Sequence, residues 1–451
     1  MANGGREMIS RREFLSLAAA FSATAVLPTG SFAASKAKVV VIGGGVGGAT
    51  FAKYLRRKAP NVDVTIIEQN PIYIRPYGSS EVLTSHVDMS DLEVNYDALR
   101  NKYGVNIAID RAIGLDADRQ VVKTASGLEY AYDRLVVSPG IELNYDKVEG
   151  YSKELAETKA PSGWIPGSQT ALLRDQIQNM RQGGTMLIVA PPNPYRCPPG
   201  PYERGALVAE WMQKHNPTGK VIITDPKNKF TAGNNFMLGW NRLYGYNIPM
   251  EFMDGMPDDV VEHANPGMID WIPGKDGGTP ISFDAANMSV ETEGGNIKAD
   301  VINIVPPMKA GKIAQLFGLT NEQGWCPVSR VTFESERIAN VHVLGDASIA
   351  DAMPKSGFAA NTQAKVAAYA IAHLLAGEIP EQSPAFENTC YALAGSDYGF
   401  FVSAVYELKD GKIAKKDAPG LQDLDATEAQ RRLSAVYQQA WMKSFTEDCF
   451  A

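Results

Sequence analysis

The chain has 451 residues, 45% of them hydrophobic and 21% charged, with a net charge of −8 at neutral pH. That length suits two or three domains with cores of their own, and the apolar content excludes wholesale disorder. The acidic balance excludes a nucleic-acid partner, and no apolar run reaches the roughly 18 residues of a transmembrane segment.

Residues 1–34 read as a twin-arginine signal peptide. Ser10-Arg11-Arg12-Glu13-Phe14-Leu15 precedes a small-residue apolar run from Leu17 to Leu27, and Ser31-Phe32-Ala33 supplies the small residues that a signal peptidase reads. The expected destination is the periplasm, where disulfides persist. That route carries proteins already folded, so a cofactor enzyme is expected.

Lys38-Val39-Val40-Val41-Ile42 is a buried-strand pattern that runs directly into a glycine-rich turn. Gly43, Gly45 and Gly48 make G-x-G-x-x-G, with Val46 opening a helix whose positive end faces a pyrophosphate. A second strand, Val64-Thr65-Ile66-Ile67, ends in Glu68, 20 residues past Gly48, where a carboxylate can accept hydrogen bonds from an adenosine ribose. Strand, glycines, helix, strand and acid in register specify a dinucleotide site. Two later segments select FAD over NAD. Tyr132–Gly140, with Ser138 and Gly140, resembles the strand and turn that leave the first FAD segment of two-dinucleotide flavoproteins. Asn340–Ala347, with Gly345 and Asp346, resembles their late FAD motif, whose aspartate binds the ribityl chain.

Between them lies an insertion. Thr185–Ala190 is a strand pattern, and Val221–Asp225 closes its first unit. A pyridine-nucleotide reductase would carry a second G-x-G-x-x-G after the first of these strands. Here the turn reads Pro191-Pro192-Asn193-Pro194-Tyr195-Arg196-Cys197-Pro198-Pro199-Gly200. Prolines remove N–H donors and stiffen the chain, so this turn cannot cradle a pyrophosphate and NAD(P)H is not expected as donor.

Asn193–Arg204, Gly324–Val328, Pro354–Phe358 and Asn388–Tyr391 resemble the flavoprotein subunit of flavocytochrome c sulfide dehydrogenase, with the sulfide:quinone oxidoreductases as wider relatives. The resemblance implies an α/β, two-dinucleotide-binding-domain flavoprotein with tandem Rossmann domains of the glutathione reductase type and a small α+β C-terminal domain. The expected domains are 35–150 and 291–380 for FAD, an inserted NAD-domain-like unit at 151–290 carrying Cys197, and 381–451 covering the flavin and facing a cytochrome. The expected cofactor-binding residues are Gly43, Gly45, Val46, Gly48, Glu68, Arg75, Ala112, Ser138, Gly140, Gly345, Asp346 and Lys355. The resemblance also implies sulfide oxidation at a cysteine disulfide beside FAD, with a c-type cytochrome subunit as acceptor.

Four cysteines allow one redox pair without building the fold on disulfides. By resemblance the active pair is Cys197 and Cys390. Cys326 is the alternative partner, and Cys449 is spare. Hydrosulfide would attack the disulfide and expel one sulfur as a thiolate. Relatives with a covalent flavin carry a cysteine near residues 73–81. This chain has none before Cys197, so the FAD is expected to be non-covalent.

Lys355 opens a helix at Ala359–Leu375 that would stabilise negative charge on a reduced flavin. Glu203 reads as a proton acceptor or, more simply, as the partner of Arg204 in a loop-pinning ion pair. His342 alternates with valines and reads as structural. No C-x-x-C-H occurs, so no haem is attached to this chain. Tyr398–Tyr406 reads as a strand, Lys409–Lys412 as a hairpin turn, and Thr427-x-x-Gln430 as a capping box opening a last helix. Leu433, Val436, Tyr437, Ala440 and Trp441 share one face of that helix, which is expected to dock on the protein's own core or a subunit. The rival readings are delivery to quinone, an NADH-dependent reductase, and a non-catalytic flavin-binding scaffold.

Overall fold

Short Val/Ile runs with no polar alternation can be buried on both faces only in a parallel sheet covered by helices. The computed structural model describes residues 36–418 and 420–451; the expected signal peptide, 1–34, lies outside the described residues. β1 (Lys38–Ile42) leads through the glycine turn into α1 (Val46–Lys58), followed by β2 (Asp63–Glu68), β3 (Asn106–Ile109) and β4 (Arg134–Val137). β1 pairs in parallel with β2 on one side and β4 on the other, and Val39, Val40 and Val41 are buried. A Cβ on Gly48 would lie 1.9 Å from the Gly43 carbonyl oxygen, so α1 can approach the turn this closely only with glycine there.

The insertion forms its own parallel sheet. Its strands are β5 (Thr185–Val189), followed by α2 (Gly200–His215), then β6 (Lys220–Thr224), β7 (Ile269–Ile272) and β8 (Val301–Ile304), in the order β7-β6-β5-β8. The boundary expected at 290 is therefore corrected. Residues 289–292 are the middle strand of an antiparallel meander over 280–298, and the chain returns at β8 to pair with β5. The inserted unit thus extends to residue 304, because β8 satisfies the open edge of β5.

The chain then re-enters the first sheet at β9 (Val341–Val343), which pairs with β4 to give the order β9-β4-β1-β2-β3. His342 in this strand is fully buried. Burial lowers its pKa to about 4, and its Nδ1 lies 2.9 Å from the Thr332 carbonyl, which suits a structural role. α3 (Gly357–Leu375) packs on α1, and Ser356 caps it by accepting the Ala359 N–H at 3.1 Å.

The C-terminal domain is an antiparallel sheet of β10 (Ala385–Gly395), β11 (Tyr398–Lys409) and β12 (Lys412–Lys415), followed by α4 (Glu428–Phe450). Asp410 and Gly411 both take positive φ, as a two-residue hairpin turn requires. The capping box forms: Thr427 N donates to Gln430 Oε1 at 2.7 Å, and Gln430 N donates to Thr427 Oγ1 at 3.3 Å.

Of the two dockings expected for the apolar face of α4, the one onto the protein's own core is not what Leu433, Val436 and Tyr437 make. Leu433, Val436 and Tyr437 are exposed, whereas Arg431, Ser434, Ala435, Gln438, Met442, Phe445 and Cys449 are buried. The inward polar residues have partners that no local pattern discloses. Arg431 donates to Asn235 Oδ1 at 2.5 Å, and Gln438 donates to Glu81 Oε1 at 2.9 Å.

The far end of α4 is held by a buried lysine of α1. Lys53 Nζ donates to the main-chain oxygens of Glu447, Asp448 and Ala451 at 3.0, 2.9 and 2.5 Å, which places a cation at the negative end of the helix. Beside it, Asp448 accepts from Tyr54 at 2.6 Å, from Asn361 at 2.8 Å and from Lys365 at 2.8 Å. Lys53→Met keeps the apolar stem and removes the three donated bonds. It should cost about 2 kcal/mol in urea unfolding and speed the loss of bound flavin, read as falling absorbance after gel filtration.

Candidate functional site

One cavity of about 870 Å³ lies where the FAD-type sheet, the insertion and the C-terminal domain meet. Its size and mixed lining suit a large cofactor. The first turns of three helices open on it: Val46 and Gly47 of α1, Gly200 of α2, and Gly357 and Phe358 of α3. Each brings the positive end of its dipole, whereas the first N–H groups of α2 are already taken by the Cys197 and Pro199 carbonyls.

Most of the expected cofactor residues line this cavity: Gly43, Gly45, Val46, Glu68, Ala112, Ser138, Gly140, Gly345 and Asp346. Glu68 Oε2 accepts from Gly44 N at 2.7 Å, which seats the acid beside the glycine turn. Asp346 Oδ1 is buried with no hydrogen-bond partner, an acceptor awaiting a donor such as a ribityl hydroxyl. That orphan, the glycine turn and the helix ends fit FAD.

Three expected contacts are placed elsewhere. Gly48 packs α1 against the turn. The Arg75 guanidinium donates to the Tyr77 carbonyl at 2.7 Å and the Asp91 carbonyl at 3.1 Å, bracing the 75–91 segment below α4. Lys355 turns its ammonium away from the cavity. It donates to the carbonyls of Asp346 at 2.6 Å and Ser348 at 3.1 Å, over the Trp325 ring at 3.8 Å. Burial lowers its pKa to about 8. Two backbone carbonyls and an indole face hold the ammonium better than an open cavity wall can. What faces the cavity is the α3 N-terminus itself.

Cys197 and Cys390 also line this cavity, the first from the turn after β5 and the second from β10. Cys197 opens into the cavity space, and its backbone is left-handed at φ +60°, a strained state for a residue with a Cβ. Its amide donates to the Lys355 carbonyl at 2.9 Å, fastening the sulfur-bearing turn to the start of α3. Burial pushes the Cys197 thiol up to about 12, reinforced by Glu203 and Cys390 and opposed by Arg196 and Arg204. Burial takes Cys390 to about 11. All four cysteines are free thiols in this structure. Cys326 and Cys449 are fully buried outside the cavity wall, Cys326 beneath Lys355 and Cys449 against Asn361.

Glu203 and Arg204 do not pair with each other. Arg204 reaches the carbonyls of Ser162 at 2.9 Å and Gly163 at 3.0 Å and Asn303 Oδ1 at 2.9 Å. Glu203 lines the cavity near both cysteines and accepts from Leu393 N at 2.9 Å. Burial raises its pKa to about 8. Sequence reasoning missed the cavity's aromatic wall: Tyr73, Tyr77, Trp164, Phe445 and others. Trp441 stacks on Phe445 at 5.1 Å, and the i, i+4 spacing of the two was the available signal.

The insertion's own nucleotide position is filled by side chains. Asp225, at the end of β6, is fully buried and accepts from Tyr202 at 2.5 Å, Lys227 Nζ at 2.6 Å and Trp271 Nε1 at 3.1 Å. Phe230 stacks on Tyr202 at 3.7 Å and meets Trp271 edge-on at 5.0 Å. The carboxylate that a reductase would offer to an NAD ribose is consumed internally.

Comparison with known proteins agrees with this geometry. Residues 170–306 match the family "Sulfide dehydrogenase [flavocytochrome c] flavoprotein chain, central", 382–450 match "Flavocytochrome c sulphide dehydrogenase, flavin-binding", and 37–163 match "Pyridine nucleotide-disulphide oxidoreductase". The mitochondrial sulfide:quinone oxidoreductase of Mus musculus is 25% identical over 320 residues, covering 68% of this chain and 65% of its own. A sulfide dehydrogenase [flavocytochrome c] flavoprotein chain from Chlorobaculum thiosulfatiphilum is 49% identical over 37 residues, 8% of this chain and 77% of that sequence. The crystal structure of the Aquifex aeolicus sulfide:quinone oxidoreductase superposes with a TM-score of 0.65 at 17% identity, covering 91% of this chain and 92% of that one. A flavin cavity, a cysteine on either side of it and two flavocytochrome c family segments together show that the chain belongs to the flavoprotein superfamily of the sulfide:quinone oxidoreductases and flavocytochrome c sulfide dehydrogenases.

Proposed function

We propose that this protein is an FAD-dependent sulfide dehydrogenase that oxidises hydrosulfide at a Cys197–Cys390 disulfide and delivers the electrons to a c-type cytochrome. The observation that carries this reading is the presence of both cysteines on the wall that also holds the glycine turn and Asp346. Bound FAD supplies a two-electron acceptor beside the pair. Hydrosulfide forms a sulfur–sulfur bond to one cysteine, the Cys197–Cys390 bond breaks, and the other cysteine leaves as a thiolate. The product is a cysteine persulfide, and Glu203 stands beside the pair as the acceptor for its S–H proton once the carboxyl ionises, at about pH 8 and above. The α2 N-terminus, Arg196 and Arg204 draw the hydrosulfide anion in and stabilise the thiolate against the cost of burial.

The FAD is held without a covalent bond, since no cysteine precedes Cys197. Export by the twin-arginine route to the periplasm rests on residues 1–34. The cytochrome is preferred over quinone because two matched segments are of flavocytochrome c type. The exposed Leu433, Val436 and Tyr437 of α4 offer an apolar face beside the cavity for such a subunit. No helix among the described residues is long and apolar enough to cross a membrane.

Anaerobic mixing with sulfide should bleach the flavin absorbance, while NADH should not. Cys197→Ser and Cys390→Ser should each slow bleaching by roughly two orders of magnitude or more; full-speed bleaching in either variant overturns the cysteine chemistry. Acid precipitation should leave all flavin in the supernatant, and a yellow pellet refutes non-covalent binding. Glu203 supplies a pH test independent of turnover. Its folded pKa of about 8 exceeds the ordinary 4.5, so the native state keeps a proton that the unfolded chain loses. Stability should therefore fall as pH rises from about 4.5 to about 8. Urea midpoints of Glu203→Gln should lose that part of the decline.

A further inference from the structure

Cys197 has a steric neighbour that neither the cofactor nor the proton chemistry requires. Trp164 lies on the cavity wall, 6% exposed, in the loop between the helices Lys153–Thr158 and Ser168–Gln178 that precede β5. A Cβ on Gly200 would stand 2.6 Å from the edge of the Trp164 ring and 3.1 Å from Cys197 Sγ. The ring edge and the sulfur therefore lie less than about 6 Å apart, and the first residue of α2 must be glycine to leave room for both.

The ring is fixed on every side. Its Nε1 donates to the Arg196 carbonyl at 3.1 Å, and the Arg196 guanidinium donates back to the Trp164 carbonyl. The Arg204 guanidinium sits over the ring face at 4.9 Å while binding the carbonyls of Ser162 and Gly163 just before it. The Arg204 cation on the ring face, the Arg196 carbonyl on the indole N–H and the Arg196 cation on the Trp164 carbonyl thus hold this residue beside the sulfur. Such a latch has little freedom to swing aside for a large reactant.

We propose that Trp164 sets substrate size, confining the nucleophile at Cys197 to hydrosulfide and excluding organic thiols. The inference deepens the sulfide reading and rests on Cys197 being the sulfur attacked. Arg196 and Arg204 attract any small sulfur anion alike; the indole wall then selects by volume. An organic thiolate carries at least one carbon against the ring edge, where hydrosulfide carries none.

The test uses the FAD-loaded protein, reduced with a phosphine and then labelled with either iodoacetamide or fluorescein maleimide. Modification at Cys197 is read by peptide mass spectrometry. In the wild type the small reagent should label Cys197 at least tenfold faster than the bulky one. Trp164→Leu should shrink that ratio at least tenfold, and Trp164→Phe should largely restore it. In the same variants, flavin bleaching by 2-mercaptoethanol relative to sulfide should rise at least tenfold in Trp164→Leu. Equal labelling by both reagents in the wild type, or an unchanged ratio in Trp164→Leu, overturns the proposal. If Trp164→Leu loses its flavin, Gly200→Ala decides. Its methyl group should slow even iodoacetamide at Cys197, and unaltered labelling there refutes the crowding. Failure of sulfide to bleach the wild-type flavin would sink the functional reading alone, because the labelling ratio still reports on the wall.

Discussion

The buried ammonium of Lys53 joins two elements that wall the flavin cavity. It sits on α1, the helix that also opens on the pyrophosphate position, and it holds three main-chain oxygens at the far end of α4. Along the intervening turns, α4 presents Gln438, Trp441, Met442 and Phe445 to the cavity. One cation therefore ties the element that receives the cofactor to the element that roofs it. The neighbouring Asp448 cluster draws α3 into the same joint through Asn361 and Lys365. Without this joint, the C-terminal domain would meet the rest chiefly through β10 and the exposed-faced helix.

Within the closed space two effects oppose each other at the sulfurs. Burial favours the neutral thiols, while the α2 N-terminus and two guanidiniums favour thiolates. Burial is the larger, so both thiols are held above the ordinary cysteine range. The left-handed backbone at Cys197 adds strain that the Lys355 carbonyl and the Gly200 turn hold in place. Lys355 thereby braces two parts of the wall: its carbonyl anchors the turn that carries Cys197, and its ammonium anchors the backbone of Asp346.

What could be read in the sequence was local. β1, the glycine turn, α1 and Glu68 follow one another within 31 residues, and each restricts the next, so the dinucleotide half was legible from Lys38 onward. The hairpin at Asp410-Gly411 and the Thr427 capping box are equally short-range. What was misread depended on distant partners. Arg431 and Gln438 look like the outward face of α4 until Asn235 and Glu81 are brought beneath them, which inverts the helix. Lys355 looks free until Trp325 and two carbonyls claim it, and Glu203 and Arg204 look like a pair until Ser162 and Gly163 take the arginine. The domain boundary slipped past β8 because a four-residue strand, Val301–Ile304, carries too little pattern to show that it belongs to the insertion.

The filled nucleotide position of the insertion has a consequence for the history of such a fold. Tyr202, Phe230 and Trp271 close around Asp225 as part of a packed core. Reopening that space means removing large buried aromatic side chains, each at a cost of about 3–5 kcal/mol. That is a substantial part of the net stability of a typical domain. A lineage that has spent its second cofactor site on packing cannot recover it by single substitutions without first passing through a poorly folded intermediate. The loss acts as a one-way step, fixed by the packing of the side chains that fill the space.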